Sequence, residues 1–98
     1  MNFESILSAV TAQAANVAPF GAKLKFVFGE DIILIDGTGD SNIVSQNDED
    51  AGCTISTDTD TFMQLKNGDL NPMMAVMSGK VKIKGDMGLA MKLQSLIQ

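Results

Sequence analysis

Phe3, Ile6, Leu7, Val10, Ala14 and Val17 fall at i, i+3, i+4, i+7, i+11 and i+14, which predicts one amphipathic helix at the start of the chain. Pro19 and Gly21 end it. Leu24, Phe26 and Phe28 then alternate with Lys25 and Val27, the pattern of a strand with one mostly buried face. Gly29-Glu30 makes a tight connection to Ile32-Ile33-Leu34-Ile35, an unbroken apolar run suited to a central strand. Asp36-Gly37-Thr38-Gly39-Asp40 is turn chemistry. Ile43-Val44 reads as a short third strand, and the polar, acidic stretch from Gln46 to Asp50 as a surface loop. Cys53 to Ser56 follows as a fourth strand, with Thr54 and Ser56 on its other face.

Thr57 or Asp58 can cap a helix carrying Phe62, Met63 and Leu65, because a side-chain oxygen there satisfies otherwise unpaired N–H groups. Asn67-Gly68 closes that helix. Pro72 fits the first turn of the next one, where its missing N–H is harmless, and Gly79 ends it. Lys80-Val81-Lys82-Ile83-Lys84 alternates strictly, so Val81 and Ile83 face the core and the lysines face out. Asp86 is a good N-cap for a last helix. The order is helix, four strands, two helices, strand, helix. Such an order predicts an α+β domain spanning residues 1–98, with helices packed on one face of a mainly antiparallel sheet.

At 98 residues with 45% hydrophobic composition, the chain can build one real core. It contains no His, Arg, Trp or Tyr. Without His, the usual general base near neutral pH and the commonest metal ligand are both missing. No nucleophile–base pair is visible either, so no catalytic residue is assigned. Without Arg there is no fork-shaped clamp for phosphate. A net charge of −5 has the wrong sign for a phosphate backbone, which argues against nucleic acid. Asp36, Thr38 and Asp40 resemble the start of a calcium loop, but Ser41 stands at its sixth position and Asn47 at its twelfth. Asp48-Glu49-Asp50 reads as a solvated charge run. No metal site and no cofactor are expected.

Cys53 is the single cysteine, a small buried apolar residue in this pattern, which suits a reducing compartment. No run is long enough to span a membrane. Met1-Asn2-Phe3-Glu4-Ser5 is not a secretory signal, and Leu96-Ile97-Gln98 is not a peroxisomal address. The expected location is cytoplasmic.

Seven methionines in so short a chain raise a further question, because methionine suits surfaces that fit variable apolar partners. On a wheel at ~100° per residue, Leu89, Ala90, Leu93, Leu96 and Ile97 form the core arc of the last helix. Ser95, Gly88 and Lys92 lie roughly opposite. Met87, Met91, Gln94 and Gln98 form a separate stripe between them. That stripe is either a helix flank on ordinary core or the wall of an apolar cavity, with Gln94 near a polar ligand end. Met73, Met74 and Met77 raise the same alternatives one helix earlier. Burying each methylene gives ~0.8 kcal/mol, so a 16-carbon chain offers on the order of 12 kcal/mol gross, enough for micromolar binding after ordering costs.

Asn71-Pro72, Gly79-Lys80-Val81-Lys82-Ile83-Lys84-Gly85 and Met87-Gly88-Leu89-Ala90-Met91-Lys92-Leu93-Gln94 closely resemble the sterol carrier protein type 2 family. Cys53-Thr54-Ile55, Asp60, Phe62 and Gly68 look like it too. The resemblance covers roughly residues 51 to 97; the first half agrees in order of elements. It implies an α+β fold with a five-stranded sheet, helices on one side and a lipid tunnel between them. It implies non-catalytic binding or transfer of fatty acids, acyl-CoA, phospholipids or sterols. Phe62 and Leu65 would then line the tunnel from the first later helix, Met73, Met74 and Met77 from the next, and Met87, Met91 and Gln94 from the last. The implied partner is a long-chain lipid, with transient membrane contact and a partner enzyme of lipid metabolism as further partners. The short form is similar to bacterial members. The competing reading is an accessory domain that presents an acyl substrate to an enzyme or stabilises it.

Overall fold

The computed structural model describes residues 2–92. Its elements are α1 (Phe3–Ala14), β1 (Lys23–Phe28), β2 (Asp31–Asp36), β3 (Ile43–Ser45), β4 (Cys53–Ser56), α2 (Thr59–Lys66), α3 (Pro72–Met77), β5 (Lys82–Gly85) and α4 (Met87–Lys92). The strands form one five-stranded sheet in the order β3-β2-β1-β4-β5. Neighbours are antiparallel except β1 and β4, which run parallel. The architecture is the α+β one the element order predicts. No described helix is long and apolar enough to cross a membrane.

One face of the sheet carries the core. Leu24, Phe26 and Phe28 of β1 share it with Ile33 and Ile35 of β2 and Cys53 and Ile55 of β4. Ile6, Val10 and Ala14 of α1, Phe62 of α2, Ala75 of α3 and Leu89 of α4 pack into the same cluster. The α1 residues are spaced by four, which keeps them on one helical stripe. Burial of Cys53 pushes its thiol above its ordinary pKa.

The other face explains the run in β2. Leu34 points away from the core cluster yet is only 2% exposed. The connection from β3 at one edge to β4 has to pass β2 and β1. It runs over this outer face, where Lys23 pairs with Glu49 and Lys25 with Asp48, each at 2.9 Å. The Asp48-Glu49-Asp50 run stays at the surface, as the sequence predicts, with Asp48 and Asp50 exposed and Glu49 partly so. Two of its acids pair with β1 lysines along the crossing that leads into β4.

Two boundaries differ from the sequence expectation. Helix α1 stops at Ala14, a turn before Val17, because the Asn42 amide donates to the carbonyls of Ala14, Val17 and Ala18 at 3.3, 2.9 and 3.3 Å. Strand β5 begins at Lys82 rather than Lys80, because Lys80 and Val81 donate their N–H groups to the Ala75 carbonyl at 2.9 and 3.2 Å. This closes α3 in a Schellman motif with Gly79 at φ 80°, a conformation only glycine adopts without strain. Val81 is still buried and Lys80, Lys82 and Lys84 are still exposed.

Candidate functional site

Between the core face of the sheet and helices α2, α3 and α4 lies a cavity of about 360 Å³. The sheet side is made by Phe26, Ile55 and Ile83, with Thr57 and Val81 beside them. Helix α2 contributes Phe62 and Leu65, α3 contributes Pro72, Met73, Val76 and Met77, and α4 contributes Met87 and Ala90. The pairs 62/65, 73/76 and 87/90 are each spaced i, i+3, which puts both members on one helix face.

Caps fix where these helices begin. Asp58 accepts from the Thr61 N–H at 2.6 Å, Asn71 from the Met73 N–H at 2.8 Å, and Asp86 from the Gly88 N–H at 2.8 Å. Asp58 and Asp86 match the sequence reading; Asn71 adds a third cap of the same chemistry. The Thr61 N–H holds the Asp58 carboxyl below the usual carboxylate range. Both Phe62 contacts are edge-to-face, with Phe26 at 5.7 Å and Phe28 at 5.5 Å, and Phe3 backs Phe28 at 5.9 Å. Such pairs add specific attraction to area burial, so this wall is rigid.

The cavity has a closed side and an open one. Phe26 and Phe62 are 3% and 2% exposed, whereas Met73, Met77 and Met87 are 72%, 79% and 56% exposed. The methionines therefore form a rim between the apolar interior and water. Thr57 is the one polar side chain among the described lining residues, and its hydroxyl donates to the Lys80 carbonyl at 3.0 Å. Among the described residues no charged side chain lines the cavity. The chain's charge is also divided: residues 2–56 hold eight acids and two lysines, and residues 57–98, which supply most of the lining, hold four acids and five lysines. The net charge of −5 thus belongs to the part of the chain that contributes least to the cavity.

Of the residues singled out from the sequence, the structure brings Phe62, Leu65, Met73, Met77 and Met87 together around this cavity. Met74 is not in the lining and is 59% exposed. It sits ~100° around the helix from Met73, past the edge of the arc that Met73, Val76 and Met77 share. Gln94 lies outside the described residues, as do Leu93, Ser95, Leu96, Ile97 and Gln98, and the side chain of Met91 is not described either. Sequence reasoning missed Phe26, Ile55, Thr57, Pro72, Val76, Val81, Ile83 and Ala90. Val76 had a readable signal, because it stands three residues after Met73 on the same face. The strand residues had none, because an inward position reads the same whether it meets packed side chains or a void. Among the described residues no cluster of three or more His, Cys, Asp or Glu side chains could hold a metal. In the turn after β2, the Asp36 carboxylate accepts from the N–H and hydroxyl of Thr38 at 3.0 and 2.5 Å.

The model of the SCP-2 sterol transfer family matches residues 3–98. Sterol carrier protein 2 of Homo sapiens is 45% identical over 58 residues, which is 59% of this chain and 11% of that protein. The solution structure of the sterol carrier protein domain 2 of Helicoverpa armigera superposes with a TM-score of 0.77 at 26% identity, covering 99% of this chain and 90% of that one. The solution structure of palmitated SCP2L2 from Aedes aegypti superposes with a TM-score of 0.72 at 19% identity, covering 100% and 96%. The chain spans about a tenth of the length of the curated relatives it matches.

Proposed function

The chain belongs to the SCP-2 sterol transfer family, and from that membership we propose that it binds a long-chain lipid, with the acyl chain in the cavity between the sheet and helices α2, α3 and α4. Domains of this family bind and transfer lipids. The observation that carries the reading for this chain is an apolar cavity of about 360 Å³ that is closed by phenylalanines and open at a methionine rim. Its volume falls at the lower end of the roughly 300–1,000 Å³ range of ligand sites.

The lining selects for a tail rather than a head group. With no charged side chain among its described lining residues, a carboxylate or phosphate finds no ion partner there and stays at the rim, where water solvates it. Affinity then comes from methylenes, each ~0.8 kcal/mol on burial, and discrimination from chain length. The solved relative carrying palmitate has the same fold, which supports a saturated acyl chain as the first ligand to try. The role is non-catalytic binding or transfer, placed in the cytoplasm. Transient membrane contact during transfer belongs to the same reading and is supported by the five lysines of residues 57–98.

Titration with a fluorescent fatty acid tests it. Saturable binding at 1:1 stoichiometry is expected, and native mass spectrometry of freshly purified protein should show one lipid per chain. Absence of saturable uptake, together with a ligand-free mass, would end the reading. A second reading is an accessory domain docked on an enzyme of lipid metabolism. It is favoured by the solved sec-alkylsulfatase PisA1, in which the part that superposes on 98% of this chain makes up 16% of the enzyme. Stoichiometric co-purification of one specific enzyme with an empty cavity would select it.

A further inference from the structure

Met73, Met74, Met77 and Met87 are between 56% and 79% exposed. Three of them, Met73, Met77 and Met87, also line the cavity. Methionine's ordinary place is a gap in a core, where its sulfur is shielded. Here the sulfur atoms stand where the apolar site meets water, open to a dissolved oxidant without any unfolding. Leucine would supply comparable apolar surface at each position; a thioether adds reactivity.

We propose that Met73, Met77 and Met87 are modification sites: a peroxide oxidises their thioethers to sulfoxides, and the oxidised rim shuts the cavity to acyl chains. This rests on the lipid-binding reading above. In the step, a sulfur lone pair attacks one oxygen of hydrogen peroxide, and the S–O bond forms as the O–O bond breaks. Sulfur gives up two electrons. The departing oxygen keeps the bonding pair, takes up the remaining proton and leaves as water. Methionine sulfoxide is reversible by dedicated reductases, so the change can be undone.

The lining makes the change consequential. A sulfoxide oxygen is a strong hydrogen-bond acceptor. Among the described residues the only lining side chain with a donor is Thr57, and its hydroxyl is already committed to the Lys80 carbonyl at 3.0 Å. A bound acyl chain would press the new oxygens away from water with no described lining side chain free to donate, which weakens binding by about tenfold or more. Of the other described sulfur residues, Met74 is exposed but stands outside the lining, and two are protected. Met63 is half-buried and packed against the core, and Cys53 is fully buried. Burial also raises the Cys53 thiol pKa, which disfavours the reactive thiolate.

The test uses delipidated full-length chain exposed to graded hydrogen peroxide, quenched with catalase, mapped by peptide mass spectrometry and checked by far-UV circular dichroism. A fluorescent fatty acid is then titrated into treated and untreated protein. One added oxygen is expected on each of Met73, Met77 and Met87 before Met63 reacts. Affinity should fall about tenfold with the fold intact, and methionine sulfoxide reductase should restore it. In the triple variant Met73→Leu, Met77→Leu, Met87→Leu, the ratio of treated to untreated affinity should return to near one, whatever its starting value. Full rim oxidation with unchanged affinity would overturn the proposal. So would a fall that persists in the triple variant, or oxidation of Met63 as fast as the rim. Failure of the untreated protein to bind at all removes the lipid reading and the switch with it, before any oxidant is added.

Discussion

Ala90 is the smallest side chain among the described cavity-wall residues, half-buried on α4, where its N–H donates to the Asp86 carbonyl at 3.3 Å. Replacing it with phenylalanine should fill the cavity. The ring would displace roughly four methylenes of a bound chain, at ~0.8 kcal/mol each, so about 3 kcal/mol of binding or roughly a hundredfold in Kd is at stake. Stability should move the other way. On the order of 60 Å² of newly buried apolar surface at ~25 cal/mol per Å² contributes ~1.5 kcal/mol, against a helix-propensity cost of about 0.5 kcal/mol. The net gain of ~1 kcal/mol raises Tm by roughly 4–8 °C in a domain of this size. Thermal melts of delipidated protein and fatty-acid titrations give the two numbers. Opposite signs, firmer fold and weaker binding, identify the cavity as the ligand site. Unchanged affinity in a folded variant would refute that identification, and a lowered Tm would show that the wall is already close-packed. Val76→Phe, from the facing helix α3, provides an independent filling and should behave the same way.

Three further outcomes follow from the geometry. Gly85→Ala should destabilise by about 3 kcal/mol or more, because φ is +107° there and a Cβ would overlap the Gly52 carbonyl oxygen; urea denaturation reads it. Asp58→Ala should cost about 1 kcal/mol by removing the cap on the Thr61 N–H, and Asp58→Asn should recover most of it in the same denaturation assay. Glu49 is held below its ordinary value of 4.5 by the Lys23 side chain, through their hydrogen bond and then their opposite charges. A depressed carboxylate gives stability that is full above 4.5 and lost as pH falls through the lower folded value, so residues 46–52 should loosen in acid. Amide exchange across that segment should show it, and Glu49→Gln should remove its pH dependence; Asp36 and Asp58, also depressed, report on other segments.

The lipid reading and the fold rest on different residues. The buried core of the sheet comes from β1, β2 and β4, from Leu24 to Ile55. The cavity draws mostly on residues after Thr57. That division explains why the quoted motifs cluster in the second half, whereas the family match extends from residue 3 to 98. The first half keeps its apolar periods, which many residue combinations satisfy; the second half must also leave a void of definite shape.

Much of the architecture was legible because it depends on neighbours along the chain. The repeat in Phe3 to Ala14, the alternation in β1, the caps at Asp58 and Asp86 and the stop at Gly79 are set by local sterics and hydrogen bonds. Tertiary structure alone decided three things. The parallel pairing of β1 with β4 needed the crossing that Lys23 and Lys25 hold through Glu49 and Asp48, residues more than twenty positions apart. The early end of α1 needed Asn42, which arrives from beyond β2. The place of Phe26, Ile55 and Ile83 in the cavity wall needed α2, α3 and α4 to be set over the sheet. Apolar periodicity says which face of an element leaves water. What that face meets, packed side chains or an open cavity, is fixed only when distant elements are brought against it.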